Sequence, residues 1–169
     1  MNEVDGPSQD EVSLAKEKVD KLLRHITNVQ EACHLLAKRL IEKGEINLGI
    51  RLVALGQLHD ASKWSGIEFE YLIEPPLNTN GTLSLAIKQH QSTNRHHIEY
   101  WEDANDMPRL YIAEMVCDLY ARAGEFGTSV WDYIKEEFLP KHNISKNGRV
   151  YKTIKEFLDL LLEKPFKDS

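Results

Sequence analysis

Apolar residues recur at spacings of three and four along most of the chain, the mark of helices that bury one stripe. Leu22, Ile26, Val29, Cys33, Leu36, Ala37 and Leu40 keep this rhythm and predict a long first helix, roughly 11–43. Leu48, Ile50, Leu52, Val53 and Leu55 predict a second, from about Asn47 to His59. A short helix is expected over about 66–73, and another over about 82–91 with Leu83, Leu85 and Ala86. Ile112, Val116, Leu119 and Ala123 form the stripe of a strong helix over about 110–123. The next covers about 130–139, with Thr128 or Ser129 as its N-cap. The last covers about 150–162. Its apolar side, Ile154, Phe157, Leu158 and Leu161, reads as core and is also a candidate surface for a second subunit in a homodimer. No convincing stretch alternates with the period of a half-buried strand.

The breaks between these segments are short. Gly6-Pro7 sets off the N-terminus, Glu74 to Gly81 is a loop signal, and Met107-Pro108 reads as a helix start. Gly124 to Thr128 and Pro140 to Gly148 read as further breaks. None resembles a domain linker, and 169 residues suit one domain. The expectation is an all-α, single-domain bundle of six to eight helices, with a flexible tail over 1–10 and one helical domain over 11–165.

Composition narrows the function classes. With 41% hydrophobic and 28% charged residues, the chain is neither a disordered polymer nor a collagen-like fibre. A net charge of −6 argues against a whole-surface nucleic-acid footprint. No apolar run is long enough to span a membrane. The polar, acidic start argues against a signal or transit peptide. Cys33 and Cys117 are too few for a disulfide scaffold, so a cytoplasmic protein with reduced thiols is expected.

The candidate chemistry lies in seven histidines. At about 100° per residue, His25 falls on the margin of the first helix's apolar stripe, while His34 falls on the polar side. His25 is thus placed to enter a cleft or to sit hydrogen-bonded in the core, and His34 reads as a surface residue. His59-Asp60 ends the second helix: it caps the helix end, or it lies beside a metal. Three histidines, His90, His96 and His97, occur within eight residues. If this segment is helical, His90, Asn94, His97 and Trp101 share one face. Asp118 interrupts an apolar helix, where an unpaired carboxylate is costly; Arg122 or a metal would satisfy it. His142 sits in a polar loop and reads as surface.

His25, then His59-Asp60, then Asp118 on separate helices of an all-α chain resembles the H…HD…D signature of the HD-domain superfamily of metal-dependent phosphohydrolases. Lys63 matches the lysine of the HD-x-x-K form, and Glu114-Met115-Val116-Cys117-Asp118-Leu119-Tyr120-Ala121 resembles the helix of the final Asp. His90 and His96-His97 resemble the extra histidines of binuclear members, though they lie closer together than in better-known subgroups. Asn94-Arg95-His96-His97 with Glu99-Tyr100-Trp101 is similar to small uncharacterised HD-like bacterial and phage proteins. The resemblance covers roughly 20–125. The Gly-Tyr-Pro element of cyclic-dinucleotide phosphodiesterases is absent.

The resemblance implies that His25, His59, Asp60 and Asp118 hold a first metal. Asp60 would bridge to a second held by His90 and His97, with His96 as the alternate. One or two divalent ions, Mn, Fe, Co, Ni or Zn, suit such N and O donors. It implies a water made acidic by metal that attacks the phosphorus of a nucleotide or related small phosphoester. Asp60 and Lys63 would carry the catalysis, and Lys63, Arg95 and His96 would contact substrate. Two other readings accompany it. One is an HD-fold di-iron oxygenase; the other is a non-catalytic helical binding module anchored by Tyr100, Trp101 and Trp131.

Overall fold

A computed structural model describes residues 8–73 and 79–163. These form an all-α bundle with no strand among the described residues. Helix α1 spans Gln9–Glu42, α2 Ile46–Gln57, α3 Gly66–Ile73, α4 Thr79–Thr93 and α5 Arg109–Phe126. Helix α6 starts as Val130–Tyr133, widens into a π-helical turn over Ile134–Phe138 and ends as Leu139–Lys141. Helix α7 spans Arg149–Leu162. No described helix is long and apolar enough to cross a membrane.

Several boundaries differ from the sequence expectation for local reasons. Helix α1 begins at Gln9 because Ser8 and Glu11 form a reciprocal capping box, so 8–10 do not belong to a tail. Residues 1–7 and 164–169, with the expected end of the domain at 165, lie outside the described residues. So do 74–78 of the expected loop, while the backbone of Thr79–Gly81 already forms the first turn of α4. Gly124 does not break α5, which runs to Phe126 and ends at Gly127, whose φ of 65° is the left-handed stop. Pro140 is helical, and the π-helical turn just before it accommodates a residue that cannot donate a backbone hydrogen bond.

The core is built on α1, α5 and α7. Val29, Leu36 and Leu40 meet Ile112 and Val116 of α5 and Ile154, Phe157 and Leu158 of α7, all without solvent exposure. The apolar side of α7 is therefore used within this chain and is not available to a second subunit. Trp131 is also buried and cannot be an interface anchor.

One packing contact sets the position of the functional residues. Helix α2 returns along α1 through two glycines one heptad apart. A Cβ at Gly49 would stand 2.7 Å from Ile41 Cγ1, and one at Gly56 would stand 2.8 Å from Cys33 Cβ. Only hydrogen fits there, so the two backbones approach closely and the end of α2 is set against α1 near His25.

Candidate metal centre

Asp60 owes its position to an unusual backbone turn. Helix α2 ends at Gln57, and Asp60 takes left-handed dihedrals, φ 58° and ψ 19°, before the single 3₁₀ turn Ala61–Trp64. Asp adopts this conformation more readily than most residues. Its carboxylate makes no capping bond, which removes the capping explanation for His59-Asp60. It points inward instead and is almost fully buried.

Five histidines surround it. Asp60 Oδ1 lies 3.1 Å from His90 Nε2, 3.6 Å from His59 Nε2 and 3.8 Å from His96 Nε2. Asp60 Oδ2 lies 3.3 Å from Lys63 Nζ and 3.9 Å from His25 Nε2. His25 Nε2 is also 3.1 Å from Asp118 Oδ1. The His97 ring stacks beside His96 at 4.3 Å and meets His90 at 4.7 Å between centroids. Three overlapping groups have ligand atoms within 4.8 Å of one another: His25, His59 and Asp60; His59, His96 and Asp118; and His90, His96 and His97.

Behind the imidazoles stands a ring of carboxylates. His25 Nδ1 is 2.8 Å from Glu125 Oε1, and His90 Nδ1 is 2.7 Å from Glu68 Oε2. His59 Nδ1 is 3.2 Å from Glu114 Oε1, and His96 Nδ1 faces the same oxygen at 3.4 Å. An ionised carboxylate only accepts hydrogen bonds, so each of these Nδ1 atoms carries the hydrogen. In the neutral ring this leaves Nε2 of His59, His90 and His96 with its lone pair turned toward the cluster, the form that ligates metals. His25 differs: its Nε2 faces the Asp118 carboxylate, and carboxylates at both nitrogens favour its protonated form unless a cation replaces that proton. Ser62 completes the support by donating to Glu68, and Asn94 donates to the Ser62 hydroxyl.

Without a cation, protons on the imidazoles balance the buried carboxylates, in the place a metal's charge would take. Burial pushes the Asp60 carboxyl up, yet the His90 and His59 rings and the Lys63 ammonium outweigh it and hold Asp60 well below the usual carboxylate range. Asp118 is likewise depressed: burial opposes its charge, but His25 and His59 more than compensate. His25 is raised because Asp118 and Glu125 overcome burial and the repulsion of Arg122. Burial, followed by repulsion from His96 and His90, lowers His97 to about 3, which keeps it neutral at pH 7.

Four polar atoms in this cluster are buried and have no hydrogen-bond partner: His59 Nε2, Asp60 Oδ1, His96 Nε2 and His97 Nε2. Each unsatisfied group costs about 1–3 kcal/mol, so their convergence calls for a compensating partner. A cation fits them: all four are lone-pair donors, and their Nδ1 hydrogens, where fixed, point away. Buried His and Asp groups of this chain thus have the geometry to hold a metal ion.

The remaining expected residues fall outside this cluster. His34 is exposed on α1, as its helical angle predicts. His142 is not a surface residue: it packs 4.7 Å from the Phe138 ring, and burial lowers its pKa. Arg95 lies apart from the cluster, with its guanidinium on the Tyr111 hydroxyl at 2.9 Å and over the Tyr100 ring. Arg122 pairs with Glu125 and not with Asp118. The segment from His90 to Trp101 is not one helix, because α4 stops at Thr93 and the Asn94 side chain bonds back to the His90 carbonyl. The turn that follows brings His96 and His97 back beside His90, so all three reach the cluster.

A cleft of about 530 Å³ opens onto it. His25, His90 and His97 lie at its inner end, with Lys63 and Arg122 beside them. His96 does not line it, so the expected contact of His96 with substrate is replaced by a place in the buried layer behind.

A family model matches residues 14–161, from α1 to α7. This chain belongs to that family, described as a family of unknown function (DUF5662). No curated protein and no solved structure matches the chain. The DUF5662 match spans every residue of the cluster, from His25 to Glu125. The sequence patterns do not single out Glu68, Glu114 or Glu125. Glu114 alone carries a usable signal, a carboxylate inside the apolar run Ile112-Ala113-Glu114-Met115-Val116-Cys117.

Proposed function

We propose that this protein is a metal-dependent phosphohydrolase acting on a nucleotide or related small phosphoester. The observation that carries the reading is the convergence of four unpartnered buried donor atoms, next to a lysine, behind the His25, His90 and His97 wall of a cation-lined cleft. His25, His59, Asp60 and Asp118 would hold one divalent ion. His90, His96 and His97 would hold a second; Asp60 Oδ1 faces His90, His59 and His96, members of both sets. Mn, Fe, Co, Ni and Zn all suit this donor set. When bound, such ions make water acidic and absorb negative charge on phosphoryl oxygens.

The chain's own residues supply the rest. Asp60, held ionised, turns Oδ2 directly toward the Lys63 ammonium at 3.3 Å and so fixes that cation beside the cluster. Lys63, partly exposed at the cleft and held between Asp60 Oδ2 and His90 Nε2 at 3.3 Å from each, keeps a hydrogen for a phosphoryl oxygen as charge develops there. Glu68, Glu114 and Glu125 hold the imidazoles in place, so little reorganisation is needed during reaction. The net charge of −6 does not oppose an anionic substrate, because the local field comes from Lys63, Arg122 and bound cations.

Purified protein supplied with Mn, Co or Ni is expected to release phosphate from a broad phosphoester panel, and a chelator is expected to stop it. Bound metal with no turnover on that panel contradicts the reading. An oxygen-sensitive mixed-valence iron signal would favour the oxygenase instead.

A further inference from the structure

The two walls of the cleft differ in chemistry. On α1, Lys18, Lys21 and Leu22 lead up to His25; on α4, Leu83, Ala86 and Ile87 lead up to His90. Lys18 and Leu83 each precede their histidine by seven residues, about 10 Å along a helix. A trough of about that length therefore runs outward from the histidines. Leu72 of α3 extends its apolar side. Leu83 is 37% and Ile87 48% exposed, so a pair of large aliphatic side chains faces an open cleft beside a polar cluster. Such surface is the usual seat of an apolar ligand group.

The polar groups of the trough are poorly suited to reading a nucleobase. Gln91, the amide in the lining, donates its Nε2 to Glu99 at 3.0 Å. Glu68 is committed to His90 and Ser62. The Tyr71 ring carries the Lys18 ammonium over its face at 4.9 Å. The other charged side chains of the lining include Lys21, Lys63 and Arg122; each has a carboxylate beside it, Glu17, Asp60 and Glu125, and each keeps further N–H groups for an anionic head.

The geometry points to a phosphomonoester with an alkyl or aryl body, not a nucleotide, as the occupant of this cleft. The inference rests on the phosphohydrolase reading above and narrows it. The phosphoryl head lies at Lys63 and His97, and the body lies along Leu72, Leu83 and Ile87. Water attacks phosphorus, the P–O bond to the body breaks, and a water proton passes to the leaving oxygen. The products are an alcohol and inorganic phosphate.

The test is a chain-length series. Monoalkyl phosphates from ethyl to hexyl, assayed with Mn-loaded wild-type protein, are expected to gain about fourfold in kcat/KM per methylene. Calorimetric binding of the matching alkylphosphonates, which are not hydrolysed, is expected to tighten in the same order. Leu83→Gln with Ile87→Gln, at positions the core does not need, is expected to flatten both trends. Absence of any length dependence, or a tenfold preference for nucleoside monophosphates, overturns the inference while leaving the hydrolase reading intact. If no phosphoester is turned over, the hydrolase reading falls. The phosphonate affinities then decide the cleft separately: tightening with length supports the apolar trough, and no trend overturns it.

Discussion

His90 is held by Glu68 from behind: Nδ1 and the carboxylate lie 2.7 Å apart, while Nε2 faces Asp60 at 3.1 Å. Glu68 belongs to α3 and His90 to α4, so the bond ties two helices together and aims the ring. Glu68→Ala removes the acceptor without touching a group that faces the cluster. The expected outcome is a 10- to 100-fold loss of metal affinity, roughly the effect of losing such a partner elsewhere. Competition with a metal-binding dye measures it, and circular dichroism is expected to show the helices retained.

The glycine contact between α1 and α2 makes a separate prediction. Gly56→Ala places a Cβ 2.8 Å from Cys33 Cβ, with Cys33 Sγ at 3.1 Å. Neither atom is the end of a long flexible chain, so the helices must part. The expected cost is about 1–3 kcal/mol in urea unfolding. Because the same contact places His59 and Asp60, metal affinity should fall too. Gly124→Ala, inside α5 where a Cβ meets nothing within 4 Å, is expected to leave metal affinity unchanged and to raise stability by about 0.4–1 kcal/mol.

The metal-free protein should weaken in mild acid. Burial depresses His97 to about 3, below its ordinary value near 6.5, so between these values the unfolded chain binds a proton that the native state does not. Stability is therefore full above about pH 6.5 and falls as the pH drops, by up to about 1.4 kcal/mol per pH unit. The depressed Asp60, Asp118 and Glu114 add to the loss below about pH 4. His25 acts with the opposite sign. Its raised pKa gives a contribution that is present below about pH 6.5 and is lost as the pH rises through its folded value. Chemical denaturation of chelated protein across pH 4.5–6.5 checks this, and His97→Gln is expected to flatten the slope in that window.

The helices were legible because their apolar stripes are regular: α3 occupies the expected 66–73, and α1, α2, α5 and α7 lie within a few residues of their patterns. The set His25, His59, Asp60 and Asp118 was picked out by its resemblance to the H…HD…D order; of its members only Asp118, inside an apolar helix, and His25, at the margin of a stripe, stand out by position alone. The turn after Thr93 was hidden, because it depends on one side chain, Asn94, bonding back to His90. Glu68 and Glu125 were hidden for a different reason. Each looks like an ordinary charged helix position, and its role appears only when another element brings a histidine to it. The half-buried state of His142 likewise comes from packing against Phe138, which loop composition does not show.

The central claim is that the histidine and aspartate cluster holds metal, and elemental analysis tests it most directly. Wild-type protein is to be compared with the His59→Ala, Asp60→Ala double variant, both shown to be helical by circular dichroism. The expected result is bound divalent transition metal in the wild type and loss of most of it in the variant. Equal metal content in the two proteins would contradict it.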